Sequence, residues 1–233
     1  MPHEIEVPDY VIERIMAKRG RLHVFDSFDA SKTALVVIDM QNFFVSEVDT
    51  AKSICPNINR LAEAVRARGG IVAWVLLTVA EEIGGPSLWP IYHDHFFTPA
   101  KMKAHKDGLT EGSEGHRLYE TLEVDDADLI ARKTRFSTFI QGSSDLDERL
   151  RARGIENLLI AGTATNFCCE TSARDAMMIG YRVVMVSDAN AARYDEDHLV
   201  GLTTVWQSFG DVRGVDDCID QLLAPAVETA AAE

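Results

Sequence analysis

The sequence predicts a three-layer α/β/α sandwich, a Rossmann-like fold built on a doubly wound, six-stranded, mainly parallel sheet. From about residue 33 onward, short β-branched runs alternate with helical patterns, which is typical of parallel sheets that helices cover on both faces. The chain has 233 residues, of which 46% are hydrophobic and 26% are charged. A chain of this length and composition can form one globular domain with a large core, without help from disulfides or metals.

Six runs are predicted to be strands because they are short, apolar and β-branched. They cover residues 34–38, 71–77, 128–131, 158–161, 182–186 and 211–215. Apolar residues at helical spacing predict five helices that follow them, and glycine or proline marks most helix ends. These helices cover about residues 56–69, 144–154, 166–180, 196–208 and 216–223, the first with Pro56 near its start.

The predicted sheet and its helices occupy residues 33–224, between two shorter segments. Residues 1–32 are expected to form an N-terminal extension with a short helix at 9–18, and residues 225–233 a flexible tail. Residues 79–114 contain four aromatic residues among glycines and prolines. Loops of this length inside compact domains are usually lids or interfaces, so we expect one of these roles here.

The charge balance argues against several classes of partner. The formal net charge is −14 and the isoelectric point is near 4.9, which disfavours binding to nucleic acid or to an anionic membrane surface. No apolar run is long enough to span a membrane, and the first residues are acidic where a secretion signal would be basic. Four cysteines lack a C-x-x-C spacing and are too few for a disulfide scaffold. We therefore expect a cytoplasmic protein with reduced thiols and a small-molecule substrate.

Three polar residues lie at the ends of predicted strands. Asp39 follows the first strand, Lys133 follows the third, and Cys168 lies shortly after the fourth, at a predicted helix start. The carboxyl ends of parallel strands share one edge of a sheet, where ligands bind. A buried Asp39 would need a cation such as Lys133, and a lysine and a helix start would both favour the Cys168 thiolate. In the plainer alternative, Asp39 caps a loop, Lys133 is solvated and Cys168 is a small core residue.

These residues belong to three separated motifs. They read VVIDMQN at 36–42, KTRFSTF at 133–139 and GTATNFC at 162–168, the last continuing as ETSARDA at 170–176. In this order and at these strand ends, the motifs resemble the isochorismatase-like cysteine hydrolase superfamily over about residues 33–223. The stretch 154–175 is most similar to the amidohydrolase branch, whose members cleave amides, carbamoyl compounds and ureides.

The resemblance implies a role for each of these residues. Cys168 would be the nucleophile, Asp39 the base, and Lys133 the cation that favours the thiolate and holds Asp39 in place. The peptide bond between Thr163 and Ala164 would be cis, and the N–H groups of Ala164 and Cys168 would form an oxyanion hole. The implied reaction hydrolyses a C–N bond of a small amide, ureide or carbamoyl compound through a thioester, releases ammonia or an amine, and needs no cofactor.

Two features separate the branches of the superfamily. Isochorismatases that cleave a vinyl ether lack the nucleophilic cysteine, so Cys168 favours C–N cleavage. Nicotinamidases carry metal-binding histidines after the second strand, whereas residues 76–82 (LLTVAEE) contain none, which disfavours nicotinamide as the substrate. His93 and His95 could chelate a metal, but a His-x-His pair in a loop is more often a polar surface pair, so no metal is expected.

Some assignments carry alternatives. The residues expected to line the substrate site are Gln41, Phe44, Trp74 and Asn166. Trp74 lies within a strand, which favours a core position over its substrate role, and Cys169 is either a core residue or a resolving thiol for oxidised Cys168. The rival function is a catalytically idle family member that acts as a binding or redox-responsive protein. Since relatives are commonly oligomeric, the resemblance also implies a dimer or tetramer.

Overall fold

A computed structural model describes residues 3–4 and 6–223, and its centre is a six-stranded sheet in the order β3-β2-β1-β4-β5-β6. The strands are β1 (Thr33–Ile38), β2 (Ile71–Leu77), β3 (Leu129–Lys133), β4 (Asn157–Thr163), β5 (Arg182–Ala191) and β6 (Asp211–Arg213). All neighbouring strands are parallel. This confirms the predicted fold class, in the doubly wound strand order whose reversal point lies between β1 and β4.

The central strand β1 is buried on both faces, which explains its unbroken apolar sequence. Ala34, Val36 and Ile38 pack into the core on one face of the sheet, and Leu35 and Val37 pack into the core on the other. Side chains alternate between the faces of a strand, so a strand between two helical layers is apolar at every position. The helices thus hold β1 from both sides and fix the position where it ends.

Two strands extend beyond their predicted bounds at the carboxyl edge. The pattern ended β4 at residue 161 and β5 at 186, whereas the strands continue to Thr163 and Ala191. The added residues are small or polar, and their register shifts between Ile160 and Gly162. Asn190 holds them through hydrogen bonds from Nδ2 to the carbonyl oxygens of Ile160 and Val186, both 2.8 Å long. Composition cannot show such pairing because it depends on side-chain hydrogen bonds.

The helices are α1 (Asp9–Arg19), α2 (Asn42–Glu47), α3 (Asp49–Ala67), α4 (Pro90–Phe96), α5 (Pro99–Gly108), α6 (Leu146–Arg151), α7 (Glu170–Met178), α8 (Asp195–Ser208) and α9 (Val215–Asp217). Five-residue π-helical turns precede α7 (Thr165–Cys169) and follow α9 (Cys218–Leu222). The predicted helix at 166–180 is therefore two different elements. The prediction that Pro56 lies near a helix start is wrong: it lies inside α3, whose buried face of Ile54, Ile58 and Leu61 compensates for the lost backbone hydrogen bond.

The segment 79–114 is not a continuous loop, because it contains α4 and α5. Each begins with a proline at its first helical position, where the missing N–H has no intrahelical partner to lose. Their shortness hid the helical period. Together they cover the carboxyl edge of the sheet, tied to it by the hydrogen bond from Val79 N–H to the Leu109 carbonyl at 3.1 Å.

The two termini differ in what the structure describes. Helix α1 buries Val11 and Ile15 against the core and contacts α8, so the described part of the N-terminal extension packs on the domain. The predicted tail at 225–233 lies outside the described residues. Within residues 3–4 and 6–223, none of the helices is both long enough and apolar enough to cross a membrane.

Strands β1 and β4 approach each other closely at Gly162, and a substitution of this glycine tests how close the approach is. A Cβ at this position would lie 2.1 Å from the Ile38 carbonyl oxygen, at a φ of +117°, whereas a Cβ at Gly154, at a φ of +71°, would contact nothing within 4 Å. We expect Gly162→Ala to lower the free energy of unfolding by about 1–3 kcal/mol more than Gly154→Ala, because only the first is overpacked. Urea denaturation of both variants measures this difference, and equal losses would contradict the close approach.

Candidate active site

Asp39, Lys133 and Cys168 meet at the carboxyl edge of the sheet, around its reversal point. Asp39 directly follows β1, Lys133 is the last residue of β3, and Cys168 lies in the π-helical turn after β4. Lys133 reaches past β2, the strand that separates β3 from β1. The side chains of Asp39 and Lys133 are fully buried, and Cys168 is 5% exposed. The structure therefore brings together the three residues that the sequence singled out.

The backbone turns sharply at Asp39. Its φ is +54°, the left-handed region, which aspartate tolerates better than most non-glycine residues. Asp39 Oδ1 accepts a hydrogen bond from the Leu77 N–H at 3.1 Å. Gln41 Oε1 accepts from the same N–H at 2.8 Å, while Gln41 Nε2 donates to the carbonyls of Leu77 and His116. These contacts fix the carboxylate at the end of β1.

Lys133 connects the other two residues. Its Nζ donates to the carbonyl oxygens of Arg135 and Phe136, each at 3.0 Å, and to Cys168 Sγ at 3.3 Å. These three bonds use all three ammonium hydrogens. Nζ also lies 2.8 Å from Asp39 Oδ2, but Oδ2 has no aligned hydrogen-bond donor. The contact with Asp39 is thus a charge pair, which leaves an Oδ2 lone pair free to accept a proton.

The protonation states follow from burial and from this charge pair. Burial raises the pKa of Asp39, although Lys133 and the Cys168 thiol oppose it. Burial by itself would lower the pKa of Lys133, but Asp39 and Cys168 reverse the direction and raise it. Burial, followed by the charge of Asp39, raises the pKa of the Cys168 thiol above that of a free cysteine, and Lys133 opposes this only in part. The sequence-based expectation of a resting thiolate is therefore wrong for the free protein, because it ignored desolvation.

The loop that carries Cys168 has a defined backbone. The peptide bond between Thr163 and Ala164 is cis. The Ala164 carbonyl accepts hydrogen bonds from the N–H groups of Phe167 and Cys169, at 3.1 and 3.2 Å. Thr165 Oγ1 lies 2.7 Å from His198 Nδ1 of helix α8, and both residues are buried. The loop is thus anchored to α8 just upstream of Cys168.

Cys168 opens into a cavity of about 150 Å³ under α4 and α5. The lining is mostly apolar and aromatic, and consists of Phe44, Val48, Leu77, Tyr92, His105, Phe136, Thr163, Ala164, Phe167 and Cys168. Larger grooves occur on the surface, but the residues that line them do not include Asp39, Lys133 or Cys168. This cavity is the candidate substrate site because it alone among the described pockets reaches the cysteine.

Of the four residues expected to line the substrate site, only Phe44 lines this cavity. Trp74 is fully buried in the core on the α3 face, and its Nε1 donates to Asp128 Oδ2 at 2.7 Å, so its core alternative is correct. Gln41 is fully buried and its amide is bonded to backbone groups, as described above. Asn166 belongs to the π-helical turn and is not among the residues that line the cavity.

Sequence reasoning missed Tyr92 and His105, which reach the cavity from α4 and α5. Neither residue follows a strand, so the rule that found Asp39 could not find them. The aromatic content of the segment was the available signal, but a sequence does not show which of its side chains point inward. Phe136 and Phe167 belong to the recognised motifs, where they could have been selected as apolar neighbours of Lys133 and Cys168.

The expectation of a surface His93–His95 pair is wrong for His93. This side chain is buried, and its two ring nitrogens lie at hydrogen-bonding distance from Ser87 Oγ and from His105 Nδ1. His95 is exposed on the same helix. Among the described residues, no group of three or more His, Cys, Asp or Glu side chains could hold a metal ion.

Alkylation of Cys168 tests the electrostatics of the site. Because the pKa of its thiol is raised, alkylation should increase with pH and reach half its maximum above about pH 8.5, the value of a free thiol. Asp39→Asn removes a negative charge and should accelerate alkylation at pH 8, whereas Lys133→Met removes a positive charge and should slow it. Peptide mass spectrometry of Cys168 gives the rates.

Asp128→Asn is the matched control, because Asp128 is also a buried carboxylate with a cationic partner, Arg66. It lies away from Cys168, and it should leave the alkylation rate unchanged. A wild-type midpoint at or below that of free cysteine, or slower alkylation in Asp39→Asn, would contradict the account.

Comparison with known proteins agrees with this geometry. The model of the isochorismatase domain matches residues 33–217. The isochorismatase family protein YwoC of Bacillus subtilis is 29% identical over 202 residues, covering 84% of this chain and 97% of YwoC. A cysteine hydrolase from Pseudomonas syringae pv. phaseolicola 1448A superposes with a TM-score of 0.70 at 28% identity, covering 85% of this chain and 95% of the other.

An enzyme of named activity is also among the similar structures. N-carbamoylsarcosine amidase from Thermoplasma acidophilum has a TM-score of 0.63 and 26% identity, with 79% of this chain and 97% of that chain covered. The matched domain spans all six strands and all three residues of the candidate site. The chain therefore belongs to the isochorismatase family of hydrolases.

Proposed function

We propose that this chain is a cysteine-dependent amidohydrolase that cleaves a C–N bond in a small amide, ureide or carbamoyl compound. The observation that carries the proposal is the position of Lys133 Nζ, 3.3 Å from Cys168 Sγ and 2.8 Å from Asp39 Oδ2, beside a cavity that opens at the sulfur. A nucleophile, a carboxylate base and an orienting cation in mutual contact are the groups that acyl transfer requires. The similarity to N-carbamoylsarcosine amidase supports C–N cleavage.

The proposed reaction has two balanced half-reactions. Asp39 Oδ2 takes the proton of Cys168 as the sulfur attacks the substrate carbonyl carbon. Asp39 then returns that proton to the leaving nitrogen, so that ammonia or an amine departs and a thioester remains. Water attacks the thioester, gives a proton to Asp39 and releases the acid, and the proton then goes back to the departing sulfur.

Lys133 orients this proton transfer without itself transferring a proton. Its raised pKa keeps it charged throughout, because both Asp39 and Cys168 favour the ammonium form. When the proton moves from sulfur to carboxylate, the negative charge moves between two atoms that are both within 3.3 Å of Nζ. The ammonium therefore stabilises the negative charge both on the sulfur and on the carboxylate. This favours formation of the thiolate only when a substrate carbonyl is in place to react with it.

The oxyanion of the proposed tetrahedral intermediate would be bound by the backbone N–H groups of Ala164 and Cys168. Both residues line the cavity at the sulfur. Donors placed where negative charge develops are each worth on the order of 3 kcal/mol of activation free energy. No side-chain cation is then needed for the oxyanion, which leaves Lys133 to its contacts with Asp39 and Cys168.

The redox-responsive alternative is less consistent with the site. Redox-sensing cysteines are usually accessible and have a low pKa. Cys169 is fully buried, and burial raises the pKa of its thiol as it does that of Cys168. A carboxylate in contact with the thiol also has no function in a redox sensor, whereas it is the base in an amidohydrolase.

Ammonia release by wild type and two cysteine variants tests the proposed function. The substrates are ureidoacrylate-like ureides, biuret, triuret, N-carbamoyl amino acids, maleamate and nicotinamide. Isochorismate, which contains no nitrogen, is the vinyl-ether control, and its cleavage is followed by the release of pyruvate. We expect at least one C–N substrate to turn over and Cys168→Ala to reduce kcat/KM by at least about a thousandfold. Cys169→Ala is the matched control and should stay within a few-fold of wild type. Turnover that survives Cys168→Ala, or turnover of isochorismate alone, would contradict the proposal.

The Asp39→Asn variant distinguishes the role of Asp39 as a base from the effect of its charge on the ionisation of Cys168. The substitution keeps the shape of the side chain but removes the atom that takes the proton, so kcat should fall by about 10²–10⁴-fold. The same variant is expected to ionise Cys168 more readily, which would raise activity if thiolate formation were the only requirement. An Asp39→Asn variant as active as wild type would show that the carboxylate is not the base.

A further inference from the structure

The cavity is lined by three polar side chains besides Cys168, and two of them, Tyr92 and His105, come from the segment 79–114. The third, Thr163, already donates its hydroxyl to the Ala191 carbonyl at 3.1 Å. The other lining residues are apolar or aromatic. The Tyr92 hydroxyl and His105 Nε2 each lack a hydrogen-bond partner among the described residues, and both residues line the cavity. Two uncommitted polar groups in an apolar cavity are the usual means of orienting a small ligand.

The ring of His105 is held in one orientation. Phe43 packs edge-on against it at 5.5 Å between ring centroids, and Phe97 lies at 4.9 Å. His105 Nδ1 lies 3.0 Å from His93 Nε2, and His93 Nδ1 contacts Ser87 Oγ. Ser87, His93 and His105 thus form a chain of hydrogen bonds that ends at the cavity.

The direction of this chain determines which nitrogen of His105 carries the proton. Ser87 Oγ already accepts a hydrogen bond from the Trp89 N–H at 2.9 Å, and His93 is its other partner among the described residues. If Ser87 donates to His93 Nδ1, His93 donates from Nε2 to His105 Nδ1, and the proton of His105 lies on Nε2. In the opposite direction the hydrogen without a protein acceptor would be that of the Ser87 hydroxyl, and His105 would offer a ligand only a lone pair. We take the first direction, which leaves the free hydrogen on the residue that lines the cavity.

His105 is uncharged in this arrangement. Burial, followed by the neighbouring His93, lowers the pKa of His105 to about 4. The described side chains that line the cavity then carry no formal charge, since the remainder are apolar, hydroxyl or thiol groups. A charged group would lose its hydration in such a cavity without gaining a counter-ion, whereas a neutral acceptor oxygen would gain a hydrogen bond.

We propose that His105 determines substrate specificity, its Nε2–H donating a hydrogen bond to a carbonyl-type oxygen of an uncharged substrate, at a position other than the scissile amide. This inference rests on the proposed function and narrows its substrate class to neutral amides or ureides that carry a second acceptor oxygen. Amides whose second group is a carboxylate are disfavoured. The cavity of about 150 Å³ suits a compact compound of this kind, since a cavity of about this volume can hold a molecule the size of benzene.

Pairs of probe amides with and without a second oxygen distinguish the effect of the hydrogen bond on affinity from the effect of ligand shape. We choose 3-oxobutanamide and 4-oxopentanamide, which carry a neutral second oxygen, butanamide and pentanamide, which lack it, and succinamate, which carries a charge. Binding is measured in the Cys168→Ala variant, so that the result does not depend on turnover. For at least one chain length we expect the oxo amide to bind about tenfold more tightly than its alkyl partner and than succinamate, the effect of one hydrogen bond.

Variants of the chain assign this preference to His105. His105→Phe keeps an aromatic ring but removes the donor, so it should abolish the preference for oxo amides while changing the affinity for the alkyl amides less than threefold. His105→Gln retains an N–H donor and should recover part of the preference. His95→Phe makes the same substitution at the exposed histidine of α4 and is the matched control. A merely structural role for His105 would weaken all amides equally.

Nitrogen NMR of histidine-labelled protein tests the tautomer directly. We expect the His105 proton on Nε2 at neutral pH, and Ser87→Ala to reduce the population of this tautomer. A proton on Nδ1, an unchanged oxo preference in His105→Phe, or tighter binding of succinamate would each overturn the inference. If the proposed function is wrong, the result is different: the wild-type protein releases no ammonia from any amide, whichever tautomer His105 adopts.

Discussion

The structure around the candidate site depends on one buried ion pair, that of Asp39 and Lys133. Both side chains are fully buried, and taking two charges out of water costs several kcal/mol per ion before their attraction compensates. The compensation comes from groups that the fold supplies: two backbone carbonyls and a sulfur for the ammonium, and the Leu77 N–H for the carboxylate. The buried pair is therefore stable only when the ends of β1, β2 and β3 and the loop after β4 are all in their folded positions.

In the proposed mechanism, this pair also allows a cysteine with an unfavourable resting pKa to act as a nucleophile. An isolated thiol needs a lowered pKa to be reactive, but a thiol in contact with a carboxylate needs only a short proton transfer at the moment of attack. Desolvation keeps Cys168 as a thiol in the free protein, which protects it from oxidation. The cavity beside it is lined by aromatic rings from the segment 79–114 and from the loops after β3 and β4, so in the proposed reaction the substrate would lie in mostly apolar surroundings.

Sequence reasoning predicted the parts of this arrangement that backbone geometry dictates. The strand at 71–77 has the predicted bounds, and Asp39, Lys133 and Cys168 meet because parallel strand ends share one edge. The pKa direction of Cys168 was predicted wrongly because a sequence shows a neighbouring lysine but not the depth of burial. For Trp74 the sequence favoured the core but left a substrate role open, since a strand residue can point to either face and composition does not say which face meets the substrate; the side chain lies in the core.

The segment 79–114 could not be interpreted from its sequence because its two helices are shorter than the window over which helical periodicity becomes visible. Its contribution to the site, Tyr92 and the Ser87–His93–His105 chain, depends on tertiary contacts between residues that are distant along the chain, such as Phe43 with His105 and Tyr92 with Phe136. The family resemblance does not predict these residues either, because it rests on the motifs at the strand ends. Substrate choice therefore depends on the segment where the sequence is least informative.

The proposed thioester on Cys168 is the central claim, and quenched turnover followed by mass spectrometry tests it most directly. An amide that the wild-type protein hydrolyses is mixed with it, acid-quenched at intervals, and the digest is searched for the peptide containing Cys168. The account predicts that this peptide gains the mass of the substrate acyl group less one hydrogen, on Cys168 and not on Cys169, at the rate of ammonia release. Ammonia release with Cys168 unmodified at every time point, or an acyl group on another residue, would contradict it.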